Sequence, residues 1–300
     1  MKVLVTGGSG FLGKRLQKHK PDWIYISSKN VDLTCPEDTK KFIKSINPDA
    51  VVHLAAKVGG IKDNAEHPAD FFIKNTKINL NVVDACFALK VNRVLASLST
   101  CAFPNEVGKY PFTEEDLLYG PPADTNLSYG YSKRLLWVHI NALRKQYNVN
   151  YSCFSPSNIY GPEDNFDLNT SHFVPAAIKK IVNSSGEVTF WGTGESLRQQ
   201  LYVDDLCKAI PLMLDKHNTN IPMIVAPDEN LSIKTMVETI CLATNKNLKV
   251  KFDGTLTGQH RKDGSNHKFK SLFPDFKFTS FYDGIKETIK WYEESINNRN

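Results

Sequence analysis

Apolar, β-branched runs recur along the first half of the chain, at 2–6, 23–27, 50–55, 93–98 and 150–155. The first is apolar except for Lys2, as a short buried strand should be. Helical stretches lie between the runs, among them 37–46 and 75–90. Asn126 to Gln146 reads as one long helix, and a last helix is expected from Phe281 to Ser295. Strands alternating with helices predict an α/β fold built on a doubly wound parallel sheet of the Rossmann type. After about residue 160 the pattern breaks into shorter pieces rich in Gly and Pro. The chain shows no internal repeat and no low-complexity linker.

The end of the first strand carries the first chemical signal. Gly7, Gly10 and Gly13 follow Val3-Leu4-Val5-Thr6 at three-residue spacing, with Phe11 and Leu12 between them, and Lys14-Arg15-Leu16 continues as a helix. Strand, glycine turn and helix in that order form the context of a dinucleotide-binding loop. Gly7 permits the tight turn, Gly10 lets the backbone approach a pyrophosphate, and Gly13 lets helix and strand pack closely. The free N–H groups of the helix start favour phosphate. The second strand, Trp23-Ile24-Tyr25-Ile26, ends at Ser27-Ser28-Lys29. An acid there would bind a ribose 2′-OH. Two hydroxyls and a cation suit a 2′-phosphate instead, so the expected cofactor is NADP(H). Residues 1–160 thus read as a dinucleotide-binding core. Residues 161–300 read as mainly a substrate-binding lobe, part of which returns to the core.

Composition narrows the class. At 300 residues, 41% hydrophobic and 23% charged, the chain suits a globular protein with a substantial core. It has no long apolar run for a membrane span, and its first residues already form the nucleotide strand, which leaves no room for a leader. The net charge of +5 includes no dense basic block. It therefore fits an anionic small substrate and does not argue for nucleic acid. Cys35, Cys86, Cys101, Cys153, Cys207 and Cys241 are scattered, with no CxxC pair and no His/Cys group at metal spacing. They read as reduced cytosolic thiols, and no metal is expected.

Tyr129 and Lys133 stand four residues apart on the long predicted helix, hence on one face. A lysine there is expected to lower the tyrosine pKa, and the phenol then to donate a proton to a carbonyl oxygen as hydride reaches its carbon. Ser99, at the end of the strand before it, offers the same oxygen a second hydrogen bond. Taken alone, such a Tyr/Lys pair is also an ordinary solvated helix face. Together with the glycine loop and Ser99 it resembles the extended short-chain dehydrogenase/reductase family.

Further stretches resemble, within that family, the GDP-L-fucose synthases. These are Ala55-Ala56-Lys57-Val58-Gly59-Gly60-Ile61, Ser99-Thr100-Cys101-Ala102-Phe103-Pro104, Asn158 to Phe166, Ser171-His172-Phe173-Val174-Pro175 and Trp191-Gly192-Thr193-Gly194. The resemblance spans essentially the whole chain. It implies reduction at C4 and epimerisation at C3 and C5 of a GDP-linked 4-keto-6-deoxy sugar, with NADPH, in a cytoplasmic homodimer paired through the Tyr/Lys helix. It also implies that Cys101 and His172 exchange the C3 and C5 protons. Read by themselves, the two residues are a small core thiol and a hydrogen-bonded loop histidine. By the same resemblance Asn158, Lys180, Trp191, Arg198 and Lys262 contact the substrate. Two departures stand out: Thr257-Gly258 replaces an Asp-Gly step before Lys262, and Lys180 stands where some members carry arginine. A 4-reductase of another nucleotide 4-keto sugar, and a non-catalytic NADP-binding sensor, are the alternative readings.

Overall fold

The computed structural model describes residues 1–255 and 259–297, so the Thr257-Gly258 departure lies outside the described residues. The first half runs β1 (Val3–Thr6), α1 (Phe11–His19), β2 (Ile24–Ile26), α2 (Pro36–Ile46), β3 (Ala50–His53), α3 (Ile61–Glu66), α4 (Pro68–Ala88), β4 (Arg93–Ser97), α5 (Leu127–Tyr147) and β5 (Asn150–Pro156). The predicted strands are all present. Helix α4 starts earlier than the pattern suggests, because Pro68 supplies a first-turn residue that needs no amide partner.

The second half continues with β6 (Asn158–Tyr160), α6 (Phe173–Val182), β7 (Glu187–Phe190), β8 (Leu197–Arg198), β9 (Gln200–Tyr202) and α7 (Val203–Lys216). It ends with β10 (Met223–Val225), β11 (Leu231–Ser232), α8 (Ile233–Ala243), β12 (Lys249–Phe252), β13 (Arg261–Lys262), α9 (His267–Leu272) and α10 (Phe281–Asn297). Six strands form the central sheet in the order β10-β5-β4-β3-β1-β2, every neighbour parallel. The chain order reverses direction between β1 and β3, which is where open α/β sheets bind ligands.

Strand alternation sends side chains to two cores. Leu4, Val51, Val94 and Tyr151 pack beneath α4 and α5 with Val82, Leu136 and Ile140. Val3, Val5, Val52, Leu95 and Phe154 face α7 with Leu206, Ile210 and Met213. Each such fully buried side chain contributes roughly 1.5–3 kcal/mol. A third core joins α6, α8 and α10 around Tyr160, Tyr202 and Phe281.

The site depends on how β13 is held. It pairs with β8 in parallel, Lys262 beside Arg198, while β11 flanks β8 on the other edge. The Gln199 side chain donates to the carbonyls of Pro227 at 2.9 Å and Gly264 at 3.1 Å, and accepts from the Gly264 amide at 2.9 Å. Gly264 also bridges Phe112, whose ring lies 2.8 Å from where a Gly264 Cβ would be. No larger residue fits there.

Gln199→Leu should therefore destabilise the protein by about 2–4 kcal/mol, because it strands buried backbone groups of Pro227 and Gly264. Chemical denaturation followed by fluorescence measures this; an unchanged midpoint would show that the clamp carries no stability.

Candidate active site

The glycine loop separates what the fold needs from what a ligand needs. Gly7 has φ +80°, and a Cβ on it would sit 2.8 Å from the Ala55 amide nitrogen. A Cβ on Gly13 would sit 2.2 Å from the Gly7 carbonyl oxygen, so the first turn of α1 packs against β1 only with glycine. At Gly10 the tightest approach is a milder 3.3 Å. Its bareness is thus more useful to a pyrophosphate than to the fold. No side chain caps α1, and Phe11 and Leu12 anchor its start against the core. Their amides remain available to an anion.

Beside this loop lies a cavity of 290 Å³ lined by Gly8, Ser9, Lys14, Gln17, Tyr25, Ile26 and Ser27. Of the three residues expected to select the cofactor, only Ser27 lines it. Ser28 and Lys29 are exposed outside it. Lys14, which the sequence reading passed over, provides the cationic side chain of the lining. No acid lines the cavity, so the donor set fits a ribose carrying a 2′-phosphate.

The catalytic candidates converge at the C-terminal end of β4. Ser99 lies beyond the strand and caps the 3₁₀ turn Thr100–Ala102, its hydroxyl accepting from the Cys101 amide at 3.1 Å. Gly130 of α5 packs against that turn so closely that a Cβ on it would lie 2.6 Å from the Cys101 carbonyl oxygen. The Lys262 ammonium comes in from β13 to 2.9 Å from the Cys101 sulfur. Burial pushes the Cys101 thiol up, but Lys262, Ser99 and Arg198 outweigh it and leave the thiol below its ordinary value.

One expectation needs correction. Lys133 does not tune Tyr129 here. Its Nζ donates to the Ser97 carbonyl at 2.8 Å and sits 5.8 Å from the centre of the tyrosine ring. Burial lowers Lys133 to about 8. Burial instead pushes the Tyr129 phenol well up, a charge on Cys101 pushes it further, and hydrogen bonding with Ser99 opposes both. A phenol so placed stays protonated at neutral pH and is ready to act as an acid.

His172 stands at the N-cap position of α6, makes no side-chain capping hydrogen bond and is exposed. Desolvation and then the Lys262 charge hold it below the ordinary imidazole value. Because the residue meets solvent, the Lys262 charge is the steadier cause. Asn158 lies in β6, in register with Gln200 of β9. Lys180 stands 5.7 Å over the ring of Trp191, which is 57% exposed, and these two form a separate rim of the cleft. Arg198 is held by its own neighbour, donating to the Leu197 carbonyl at 2.7 Å. Sequence spacing also misses a His19, Asp204 and Cys207 group whose ligand atoms lie within 4.8 Å of one another. Arg15 pairs with the Asp204 carboxylate there, and its fixed charge opposes a cation.

Lys14→Ala should weaken NADP⁺ binding about tenfold or more, the scale of one lost charge-assisted hydrogen bond, and leave NAD⁺ binding nearly unchanged. Fluorescence titration with both cofactors reads this; equal losses would remove Lys14 from the 2′-phosphate.

Residues 3–225 match the NAD dependent epimerase/dehydratase family. A GDP-L-fucose synthase of Dictyostelium discoideum is 36% identical over 303 residues, covering 97% of this chain and 94% of that one. A GDP-L-colitose synthase of Yersinia pseudotuberculosis is 34% identical, over 70% of this chain and 71% of its own. The crystal structure of a GDP-L-fucose synthetase from Naegleria fowleri bound to NADP superposes with a TM-score of 0.90 at 31% identity, covering 98% of this chain and 93% of that one. With the glycine loop, the Ser99/Tyr129/Lys133 set and the Cys101–Lys262 contact already in place, these likenesses assign the chain to the NAD dependent epimerase/dehydratase family, where it groups with the GDP-L-fucose synthases.

Proposed function

We propose that this chain converts GDP-4-keto-6-deoxy-D-mannose to GDP-L-fucose by 3,5-epimerisation and NADPH-dependent 4-reduction. The observation that carries the reading is the 2.9 Å contact between Lys262 and Cys101, one turn of chain from Ser99 and beside Tyr129. A plain reductase needs the last two groups and has no use for a charged thiol.

The chemistry follows from the protonation states. Protons at C3 and C5 flank the C4 carbonyl and are acidic. The Cys101 thiolate takes such a proton, and His172 returns one on the opposite face. When bound, NADPH supplies the hydride to C4. Tyr129 then gives its proton to the C4 oxygen, Ser99 hydrogen-bonds that oxygen, and Lys133 holds the nicotinamide ribose. Arg198 suits the diphosphate through its fork of donors. Asn158 orients the sugar, while Lys180 and Trp191 border the nucleotide.

The GDP-L-colitose synthase relative favours one second reading, the same machinery acting on another GDP-linked 4-keto sugar. Homodimerisation belongs to the proposal too. On α4 and α5, Ile73, Leu80, Tyr131, Leu135 and Val138 are all between 41% and 49% exposed, an apolar face suited to a second copy. Six free cysteines support a cytoplasmic location. Among the described residues no helix is long and apolar enough to cross a membrane.

Two outcomes test this reading. Tyr129→Phe should slow reduction about 10²–10⁴-fold with NADPH binding intact. In D₂O, wild type should place deuterium at C3 and C5 and Cys101→Ser should not, as product NMR will report; reduction without exchange in wild type would mean a simple 4-reductase. Replacing Leu135 and Val138 together with glutamate should convert a dimer to a monomer in sedimentation, and a wild type that already sediments as a monomer would refute the assembly.

A further inference from the structure

We propose that Lys262 is a positioning cation for the epimerisation base: with its ammonium 2.9 Å from the Cys101 sulfur, it favours the thiolate over the thiol before substrate arrives. The inference rests on the proposed reaction and adds a role to a residue that the family likeness assigns only to substrate contact. Several independent features of the structure lead to it.

The first is geometric. Among the described residues, the only hydrogen bond formed by the Lys262 ammonium goes to the Cys101 sulfur, and no carboxylate pairs with it. A lysine aimed at a substrate diphosphate would be left to solvent in the open cleft. This one is instead directed to the Cys101 sulfur.

The second is how the approach is enforced. Lys262 lies in register with Arg198 on the neighbouring strand, so two cations stand side by side. Mutual repulsion would part them without an anion between. The Gln199 clamp and the Phe112–Gly264 bridge fix the backbone just after β13, which holds Lys262 in place beside Cys101.

The third is the set of groups that face each titrating residue. Cys101 meets Lys262 from β13, Arg198 from β8, the Ser99 hydroxyl from its own turn and the Tyr129 phenol from α5. At His172, after desolvation, the Lys262 charge acts in the same lowering direction. One ammonium therefore acts on both members of the pair and favours the deprotonated form of each. The Lys262 charge thus biases Cys101 towards a base and His172 towards its uncharged form.

The proton bookkeeping closes. In the form of the enzyme that reacts, the thiol proton has gone to solvent. The thiolate takes a proton from C3 or C5 and becomes a thiol, and the negative charge passes to the enolate oxygen at C4. That oxyanion and the substrate diphosphate offset the field of Lys262. His172 then gains a proton from solvent and delivers it to the opposite face of the carbon. The thiol proton returns to solvent before the second carbon reacts.

The test uses the full chain with NADPH bound and no sugar, in wild type, Lys262→Met and Lys262→Arg. The pH dependence of iodoacetamide alkylation, read by mass spectrometry at Cys101, gives the thiol midpoint, and NMR of labelled histidine gives that of His172. In Lys262→Met both midpoints should rise, the thiol by about one unit or more, with alkylation at neutral pH about tenfold slower. Lys262→Arg keeps the charge and should keep both midpoints near wild type. NADPH affinity checks that the variants fold, and Lys262→Gln is read identically if Lys262→Met does not. Unchanged midpoints in the charge-removing variant would overturn the proposal. A fall in GDP affinity alone, with both midpoints unmoved, would overturn it in favour of a pure diphosphate ligand. Absence of deuterium exchange in wild type would sink the proposed reaction yet leave the thiol midpoint readable, so the two failures are distinguishable.

Discussion

The contact between the Lys262 ammonium and the Cys101 thiol spans 161 positions of sequence, and the active site closes only where these ends of the chain meet. It is a contest between two terms. Burial penalises a thiolate, while nearby cations and hydrogen-bond donors favour it. Here the cations win, because β8 and β13 deliver Arg198 and Lys262 together. Remove the register between those two short strands and Cys101 reverts to an inert buried thiol. Cys86 and Cys153 show that state, both pushed up to about 12 by burial, although at Cys153 cations oppose the rise.

The same charge sorts the acids from the bases. Burial, and then charge on Cys101, make the Tyr129 phenol harder to ionise, while nearby cations draw the Cys101 thiol below its ordinary value. The site can thus hold a base for C–H removal and an acid for alkoxide capture within one small volume. Lys133 takes no part in that contest. Its ammonium is anchored to the Ser97 carbonyl at 2.8 Å.

Features set by local sequence were legible without the structure. The parallel strands, the glycine loop and the long helix under Tyr129 and Lys133 follow from short-range pattern, and each is in place. Features set by direction and distance were not. Four-residue spacing puts Lys133 on the same helix face as Tyr129, but it does not say where the flexible ammonium points, so the expected effect on the phenol failed. Lys14 escaped notice because an exposed lysine in a helix usually faces only water, and nothing local announces the cavity beside it. Lys29 drew attention for the converse reason: it is near the right place in sequence and turned away from it in space. Part of the depression of His172, after desolvation, comes from Lys262 on a strand far along the chain, which no local reading supplies.

Cofactor and substrate ends are also tied to each other through one short segment. Arg198 faces the Cys101 side of the cleft, Gln199 clamps Gly264, and Asp204, at the start of α7, accepts from Arg15 at 2.7 Å and contacts His19 at 2.9 Å. Arg15 and His19 belong to α1, whose other end carries the glycine loop. A shift of this segment must therefore move the substrate cation and the helix that offers its amides to pyrophosphate together. The ion pair is only partly exposed, so water screens it less than a surface pair. On the proposed reaction, coupling of that kind suits an enzyme that completes two proton exchanges before reduction, because Arg198 and the helix behind the glycine loop are tied to one short segment.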